Sequence, residues 1–284
     1  MNNCYILYNP ISGNGGGEAV AKELASKLGD SVIATEDVTK IENMAEFIAG
    51  KTEDLVICGG DGTICRFIND VDPDAIENQV YYYPSGSGND FLRDIEVKVE
   101  DCPVNITKYI KNLPVCRVNG KNLRFINGVG FGIDGYCCQV GDEQRAKGVK
   151  DINYTTIAIK GLLFHYKPTA ATVTVDGEEH RFKKVWIAPT MNGRYYGGGM
   201  MPAPDQDRLA EDRRVSAFVF HSSGKLKTLI AFPNLFKGIL ARDRKDIAAL
   251  YSGKQVKVAF DAPRPLQVDG ETILGVTEYE VFCK

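Results

Sequence analysis

The 284-residue sequence contains no apolar run near the ~18 residues that a membrane-spanning helix requires. Its eight cysteines form no CxxC pair, which disfavours a zinc ribbon or a dithiol redox motif. Cys4 and Cys58 fall in strand-like runs and Cys137 and Cys138 are adjacent, so reduced, buried thiols are expected rather than a disulfide framework. Only three histidines occur, His165, His180 and His221, scattered and with no catalytic placement. Basic charge is not in excess: 34 Lys and Arg face 37 Asp and Glu, a net charge of −3, so no nucleic-acid partner is indicated and any basic surface must be local. Met1-Asn2-Asn3 leads directly into an apolar strand, so no secretory signal is expected. There is no internal repeat and no low-complexity segment. The Walker pattern GxxxxGK[ST] is missing, and the first glycine loop lacks a GxGxxG with a following acidic residue for a ribose. These two absences disfavour an ordinary P-loop and a dinucleotide site.

What remains is ordinary for a globular protein, 44% hydrophobic and 25% charged, and the length suggests about two domains. The central stretch runs from Leu55 to Val71. Leu55-Val56-Ile57-Cys58 is a short apolar run suited to a buried strand, and Ile64, Phe67, Ile68 and Val71 recur at the spacing of one helix face. Between them lie Gly59-Gly60-Asp61-Gly62-Thr63. Glycines let a ligand approach the backbone, and a strand, turn and helix start gather N–H groups where a phosphate can sit. Asp61 suits that place only with a cation beside it or as a base; the bland reading is a tight strand-to-helix turn.

Two more loops share this character. Cys4–Tyr8 reads as a strand followed by Asn9-Pro10-Ile11-Ser12-Gly13-Asn14-Gly15-Gly16-Gly17, and Val80–Tyr83 is followed by Pro84-Ser85-Gly86-Ser87-Gly88-Asn89-Asp90. A weak strand, Val32–Ala34, ends at Thr35, and helix faces show at Val20, Leu24 and Leu28 and at Ile41, Met44, Ala45 and Ile48. Strands alternating with helices predict a parallel sheet with right-handed crossovers, and ligands then sit beyond the strands' carboxyl ends. Three polar, glycine-rich loops on one edge, carrying Asp61, Thr63, Ser87, Asn89 and Asp90, point to a nucleotide triphosphate. Near residue 115 the pattern changes to hairpins and antiparallel strands: Val115–Val118, a turn at Asn119-Gly120, Leu123–Ile126, Ala171–Val175, a turn at Asp176-Gly177, Val185–Ala188, Val215–Phe220, Gln255–Phe260 and Thr277–Phe282. Helix is expected over Gln139–His165.

These residues together resemble the diacylglycerol kinase catalytic family, most closely its compact bacterial lipid kinases of the YegS type. The resemblance rests on Asn9-Pro10 with Ser12-Gly13, the GGDGT of Gly59–Thr63, and Pro84 through Phe91. It continues through Asn127 with Gly130 and Asp134, Asn192 with Gly197-Gly198-Gly199 and Ala203-Pro204, and Asp269-Gly270-Glu271. It covers nearly the whole chain. GGDGT alone also occurs in NAD kinases, whereas the combination is much more specific. The resemblance implies a two-domain protein: an N-terminal α/β nucleotide domain over residues 1–115, with a parallel sheet of the NAD kinase and phosphofructokinase kind, and a C-terminal antiparallel β-sandwich over 116–284. The final strand could return to the first domain, and a cleft would lie between the two.

The resemblance also implies ATP and Mg²⁺ as cofactors and phosphorylation of a lipid hydroxyl. Its ATP site falls on Asn9, Pro10, Ile11, Ser12, Gly13, Thr35, Gly59, Gly60, Asp61, Gly62, Thr63, Ile64, Cys65 and Ser87, with Asn89 and Asp90 alongside. Glu271 falls at the proton acceptor, a role that suits a carboxylate because an alcohol is a poor nucleophile at neutral pH. Asp61 is the second catalytic carboxylate, placed in the metal–phosphate region. Asp269-Gly270-Glu271 also fits a plain hairpin turn. A second, structural Mg²⁺ site would fall on Leu209, Asp212 and Arg214, but Arg213 stands where the family has glycine, and the alternative there is a solvated charged loop.

Gly224–Asp246 mixes Leu226, Leu229, Ile230, Phe232, Leu235, Phe236, Ile239 and Leu240 with Lys225, Lys227, Lys237, Arg242, Arg244 and Lys245, interrupted by Pro233. It reads either as helix packed on the β domain or as a surface for an anionic bilayer. The expectation is a lipid kinase, cytoplasmic and peripheral to the inner membrane face, that converts diacylglycerol to phosphatidic acid. Another lipid alcohol or a sphingoid base, NAD kinase activity, and a non-catalytic nucleotide- or lipid-binding regulator stay open, as does a homodimer.

Overall fold

The computed structural model describes residues 3–86, 88–149 and 152–284, and the side chain of Thr155 is outside that description. The chain divides into two compact units, residues 1–113 and 114–284.

The first unit is α/β. Its elements are β1 (Cys4–Tyr8), a single turn α1 (Ser12–Gly15), α2 (Gly17–Leu28), β2 (Val32–Asp37), α3 (Met44–Ile48), β3 (Asp54–Gly59), α4 (Asp61–Asp70), β4 (Val80–Pro84), α5 (Asp90–Asp94) and a short β5 (Val104–Asn105). Strand order is β2-β1-β3-β4-β5. β1 to β4 are parallel as expected, and only the edge strand β5 runs antiparallel. Every residue of β3 is buried, which is why it reads as a continuous apolar run. Helix α2 packs Ala21 and Leu24 against Cys4, Ile6, Val56 and Cys58. Helix α4 buries Ile64, Phe67 and Ile68 on one side.

The second unit is predominantly antiparallel. It comprises β6 (Val115–Val118), β7 (Lys121–Arg124), β8 (Gly128–Phe131), α6 (Ile133–Ala146), α7 (Tyr154–Lys160), β9 (Thr169–Val175), β10 (Glu178–Val185), β11 (Thr190–Met191), β12 (Val215–Phe220), α8 (Lys225–Ala231), α9 (Pro233–Phe236), α10 (Leu240–Asp243), β13 (Ala248–Gly253), β14 (Gln255–Val268) and β15 (Glu271–Phe282). Strand β14 lies beside β9 over Val256–Phe260 and beside β8 over Leu266–Val268, with its pairing to β15 shifted between Ala259 and Arg264 and again between Arg264 and Leu266. Pro263 and Pro265 fall in that irregular stretch, where a missing N–H costs the ladder least. The turns Asn119-Gly120 and Asp176-Gly177 both have positive φ at two successive residues, as tight hairpins require.

Three expectations are corrected. The single helix over Gln139–His165 is two: α6 ends near Gly148, at φ +85°, and α7 starts anew where the Asn153 side chain accepts the Thr156 N–H, then closes with a π-helical turn over Gly161–His165. The last strand, β15, pairs with β14 and β6, so it does not return to the first unit. The weak strand is longer than its apolar residues: β2 runs to Asp37, level with Tyr8, and Thr35 lies level with Ile6.

Candidate functional site

In the first unit the loops after β1, β3 and β4 emerge together from the carboxyl ends of adjacent strands and are joined by hydrogen bonds that each involve a side chain. Asn9 donates through Nδ2 to Thr63 Oγ1 at 3.3 Å, linking the first loop to the second. The Ser12 and Ser85 hydroxyls lie 2.6 Å apart, linking the first to the third. The Asp90 N–H donates to Asp61 Oδ2 at 2.9 Å, linking the third to the second. Glycine permits the approach. A Cβ on Gly13, whose φ is +57°, would stand 2.2 Å from the Ser85 carbonyl oxygen, and one on Gly86 would stand 2.9 Å from Gly60 Cα.

Beneath the loops the Tyr82 hydroxyl donates to the Gly59 carbonyl, and burial drives that phenol well above its usual pKa. Burial also pushes the Cys58 thiol up to about 11, so it is a packed thiol and not a nucleophile. All eight cysteines are free.

The expected site residues separate by position. Asn9, Ser12, Gly13, Gly59, Gly60, Asp61, Thr63 and Asp90 belong to the joined loops. The Ile64 and Cys65 side chains are buried in the helix–sheet packing, so they reach the loop only through their backbone. Thr35 sits inside its strand, two residues short of the edge. Ser87 lies outside the described residues. Asp61 and Asp90 carry carboxylate oxygens, the donors Mg²⁺ prefers, on two loops joined through the Asp90 N–H, with Arg93 Nη1 3.8 Å from Asp90 Oδ1.

In the second unit Glu271 opens β15, paired with Val268 across the two-residue turn Asp269-Gly270, both at positive φ. The turn is clamped. The Asp269 carboxylate accepts the N–H groups of Ile126, Asn127 and Gly128, and its own N–H donates to the Gly128 carbonyl. The buried Gln267 accepts the Gly270 N–H at 2.7 Å. The bend at Ile126 and Asn127 is held from its other side by Asn192, whose Nδ2 donates to the Ile126 carbonyl, and by buried Arg208, which donates to the same carbonyl at 3.0 Å and to Asn127 Oδ1. The exposed Glu271 therefore stands on a rigid support.

Behind it, buried Asp134 lies at the start of α6. A Cβ on Gly130 would come 1.8 Å from Asp134 Oδ2 and 2.5 Å from Gln267 Nε2, so only glycine lets both polar groups lie over β8. Burial raises the Asp134 carboxyl to about 6, opposed by N–H groups of its own helix start and by the Tyr196 hydroxyl. Gln267 and Arg208 had no signal in the sequence, whereas the Gly130 to Asp134 spacing was visible but carried no assigned role.

The loop proposed for a structural Mg²⁺ does not fit one. Arg214 Nε sits 2.8 Å from Asp212 Oδ2, the Arg214 carbonyl accepts Gln206 Nε2 at 2.8 Å, and Arg213, at φ +46°, donates to the Arg208 carbonyl. Two of the three donors are engaged and two guanidinium groups lie alongside. Among the described residues no cluster of three or more His, Cys, Asp or Glu side chains is placed to hold a metal.

Comparison with known proteins supplies the family. Residues 3–116 match the family model described as the diacylglycerol kinase catalytic domain, and residues 127–280 match the YegS C-terminal NAD kinase beta sandwich-like domain. A Bacillus subtilis (strain 168) protein named "Putative lipid kinase YtlR" is 25% identical over 312 residues, covering 99% of this chain and 96% of the relative. A Mycobacterium tuberculosis (strain ATCC 25618 / H37Rv) protein named "Diacylglycerol kinase" is 23% identical over 248 residues, covering 82% of this chain and 77% of the relative. Among solved structures, "Crystal structure of a putative diacylglycerol kinase from Bacillus anthracis str. Sterne" superposes with a TM-score of 0.69 at 20% identity, covering 99% of this chain and 93% of that one. The chain belongs to the family of the YegS C-terminal NAD kinase beta sandwich-like domain, carries a diacylglycerol kinase catalytic domain over residues 3–116, and is a kinase.

Proposed function

We propose that the protein transfers the γ-phosphoryl group of ATP to a lipid hydroxyl at the inner membrane face, with diacylglycerol as acceptor and phosphatidic acid as product. The observation that carries this reading is the joining of three glycine-bearing loops at the carboxyl edge of a parallel sheet, with Asp61 and Asp90 hydrogen-bonded across two of them. Backbone N–H groups of Asn9–Gly13 and Gly59–Cys65, with the side chains of Ser87 and Asn89, hold the triphosphate. Thr35 lies toward the same edge. Asp61 and Asp90 would hold Mg²⁺, which would neutralise phosphate charge. Glu271 accepts the proton of the acceptor hydroxyl as that oxygen bonds to phosphorus and the bond to ADP breaks. Because the transferred group needs little covalent help, positioning dominates, and the clamp at Asp269 supplies it for the base.

The names carried by relatives support a lipid acceptor. The test is transfer from radiolabelled ATP to a panel of diacylglycerols, other lipid alcohols, sphingoid bases and NAD, with Glu271→Gln as the control. Label in phosphatidic acid, lost in the variant, is expected. Transfer to NAD, or tight ATP binding with no transfer to any hydroxyl, would overturn the proposal.

A further inference from the structure

The second unit carries a surface of exposed apolar side chains with lysines beside them. Residues 152–175 and 222–242 contain no Asp or Glu, where the chain's average density of 37 in 284 would place about six in those 45 positions. The same segments carry six Lys or Arg, of which Lys227 pairs with Asp246 and Arg242 with Asp243 just past the second segment, so the cations not held by these two aspartates are Lys160, Lys167, Lys225 and Lys237. They also hold the most exposed large apolar side chains of the unit: Phe164 at 71%, Leu226 at 69% and Ile230 at 68%, with Ile159 and Phe236 also exposed.

The two segments meet. Lys225 Nζ donates to the Leu163 carbonyl at 2.6 Å, tying the start of α8 to the π-helical turn after α7. Ala158, Leu163, Leu229 and Phe232 pack inward against one core cluster, and the Phe232 and Phe236 rings are in contact at 5.8 Å. Leu226 and Ile230, four residues apart on α8, therefore project together on the side away from that core. Lys160 adjoins Ile159, and Lys237 adjoins Phe236, so cations fringe the apolar residues. Exposed apolar side chains flanked by Lys160 and Lys237, with Asp243 and Asp246 held in ion pairs by Arg242, Lys227 and Arg244, match a bilayer interface: hydrocarbon accepts the first and anionic headgroups the lysines.

We propose that this face docks the protein on an anionic bilayer, with Phe164, Leu226 and Ile230 inserting among the lipid chains. The proposal rests on the lipid-kinase reading for its purpose, but its chemistry is independent of any phosphoryl transfer. No helix among the described residues is long and apolar enough to cross the membrane, so the contact is interfacial.

The test is sedimentation with phosphatidylcholine vesicles, with and without phosphatidylglycerol and containing no diacylglycerol. The wild type is expected to bind the anionic vesicles, to bind the neutral ones more weakly, and to be released by salt. The double variant Leu226→Glu/Ile230→Glu replaces exposed side chains, keeps the fold by thermal unfolding, and is expected to lose about 100-fold in vesicle affinity. Lys160→Glu/Lys237→Glu should weaken binding to anionic vesicles only. Unchanged vesicle affinity in both variants would overturn the proposal. So would a wild-type dimer that the apolar double variant dissociates, with no vesicle binding, since a second copy would then cover the face. Monomeric short-chain diacylglycerol separates this proposal from the functional one. If it is phosphorylated while vesicle binding ignores the variants, docking alone fails; if vesicles bind through this face but no lipid is phosphorylated, the kinase reading alone fails.

Discussion

Replacing Asp269 with alanine should separate the support of Glu271 from its chemistry. The carboxylate accepts three backbone N–H groups, from Ile126, Asn127 and Gly128, at the start of β8. Hydrogen bonds to a charged acceptor contribute about 1.5–3 kcal/mol each, but water can reach part of this turn and Asn192 and Arg208 still hold the bend. A net loss of about 3 kcal/mol is therefore expected rather than the full sum. For a unit of this size that lowers Tm by roughly 6–12 °C. Glu271 would keep its carboxylate but lose its fixed direction, and misplacement of a reacting group by about 1 Å costs on the order of 100-fold in rate. The assay pairs thermal unfolding with initial rates of phosphoryl transfer and with nucleotide binding. Asp269→Ala should lose both stability and kcat, with ATP affinity unchanged. Glu271→Gln should lose kcat with Tm unchanged, because the side chain is exposed. If Asp269→Ala is destabilised as expected yet retains wild-type kcat, the clamp does not position the base and the reasoning is refuted.

Gly13→Ala should weaken ATP binding at least ~10-fold with little change in lipid KM, since a left-handed backbone and a Cβ 2.2 Å from the Ser85 carbonyl force the first and third loops apart; isothermal titration with a non-hydrolysable analogue reads it. Asp134 has a carboxyl raised to about 6, so between pH 4 and 6 the folded state holds more protons than the unfolded one, and stability falls as pH rises through that window. The fall is up to about 3 kcal/mol relative to Asp134→Asn, which cannot ionise there. Denaturant midpoints of the two proteins at pH 4.5 and pH 7.5 measure it, and parallel behaviour would count against the buried, ionisable carboxylate. Any thermal shift produced by Mg²⁺ should be the same in the wild type and in Asp212→Ala, because Arg214 already occupies that carboxylate; a shift lost in the variant would restore the second metal site.

The sequence made the first unit legible because its signals are local. Buried parallel strands read as apolar runs, and each polar loop follows its strand directly, as at Cys58 and Gly59 or Tyr83 and Ser85. The second unit was harder where glycine and proline break the alternation that marks a strand. β8 alternates Gly128, Val129, Gly130 and Phe131, and its glycines exist to admit the Met191 side chain and the Asp134 carboxylate, partners that are distant or on another element. β13 was missed because it follows a helical segment with no turn signal beyond the charged run before Asp246. Gln267 and Arg208 were invisible for a related reason. A buried polar side chain is meaningful through what it touches, and Arg208 touches residues 82 and 81 positions away.

The alternative that Asp269-Gly270-Glu271 is only a hairpin turn can be weighed on energy. An Asp-Gly turn with positive φ at both residues closes an antiparallel pair without help, as Asp176-Gly177 does between β9 and β10. There, too, the aspartate accepts N–H groups from a neighbouring segment, at Lys254 and Gln255. Aspartate bonding alone therefore does not mark the later turn as special. What distinguishes it is the burial of Gln267, Asn127, Asn192 and Arg208 in one connected set around it. Each of those groups costs free energy to desolvate, and a guanidinium costs most. A turn needing only to reverse the chain gains nothing from that expense, whereas a carboxylate that must face a reacting hydroxyl gains a fixed direction. The polar density around an exposed glutamate thus supports a positioned base over an incidental turn, and it predicts that Arg208→Leu lowers kcat while leaving the hairpin paired.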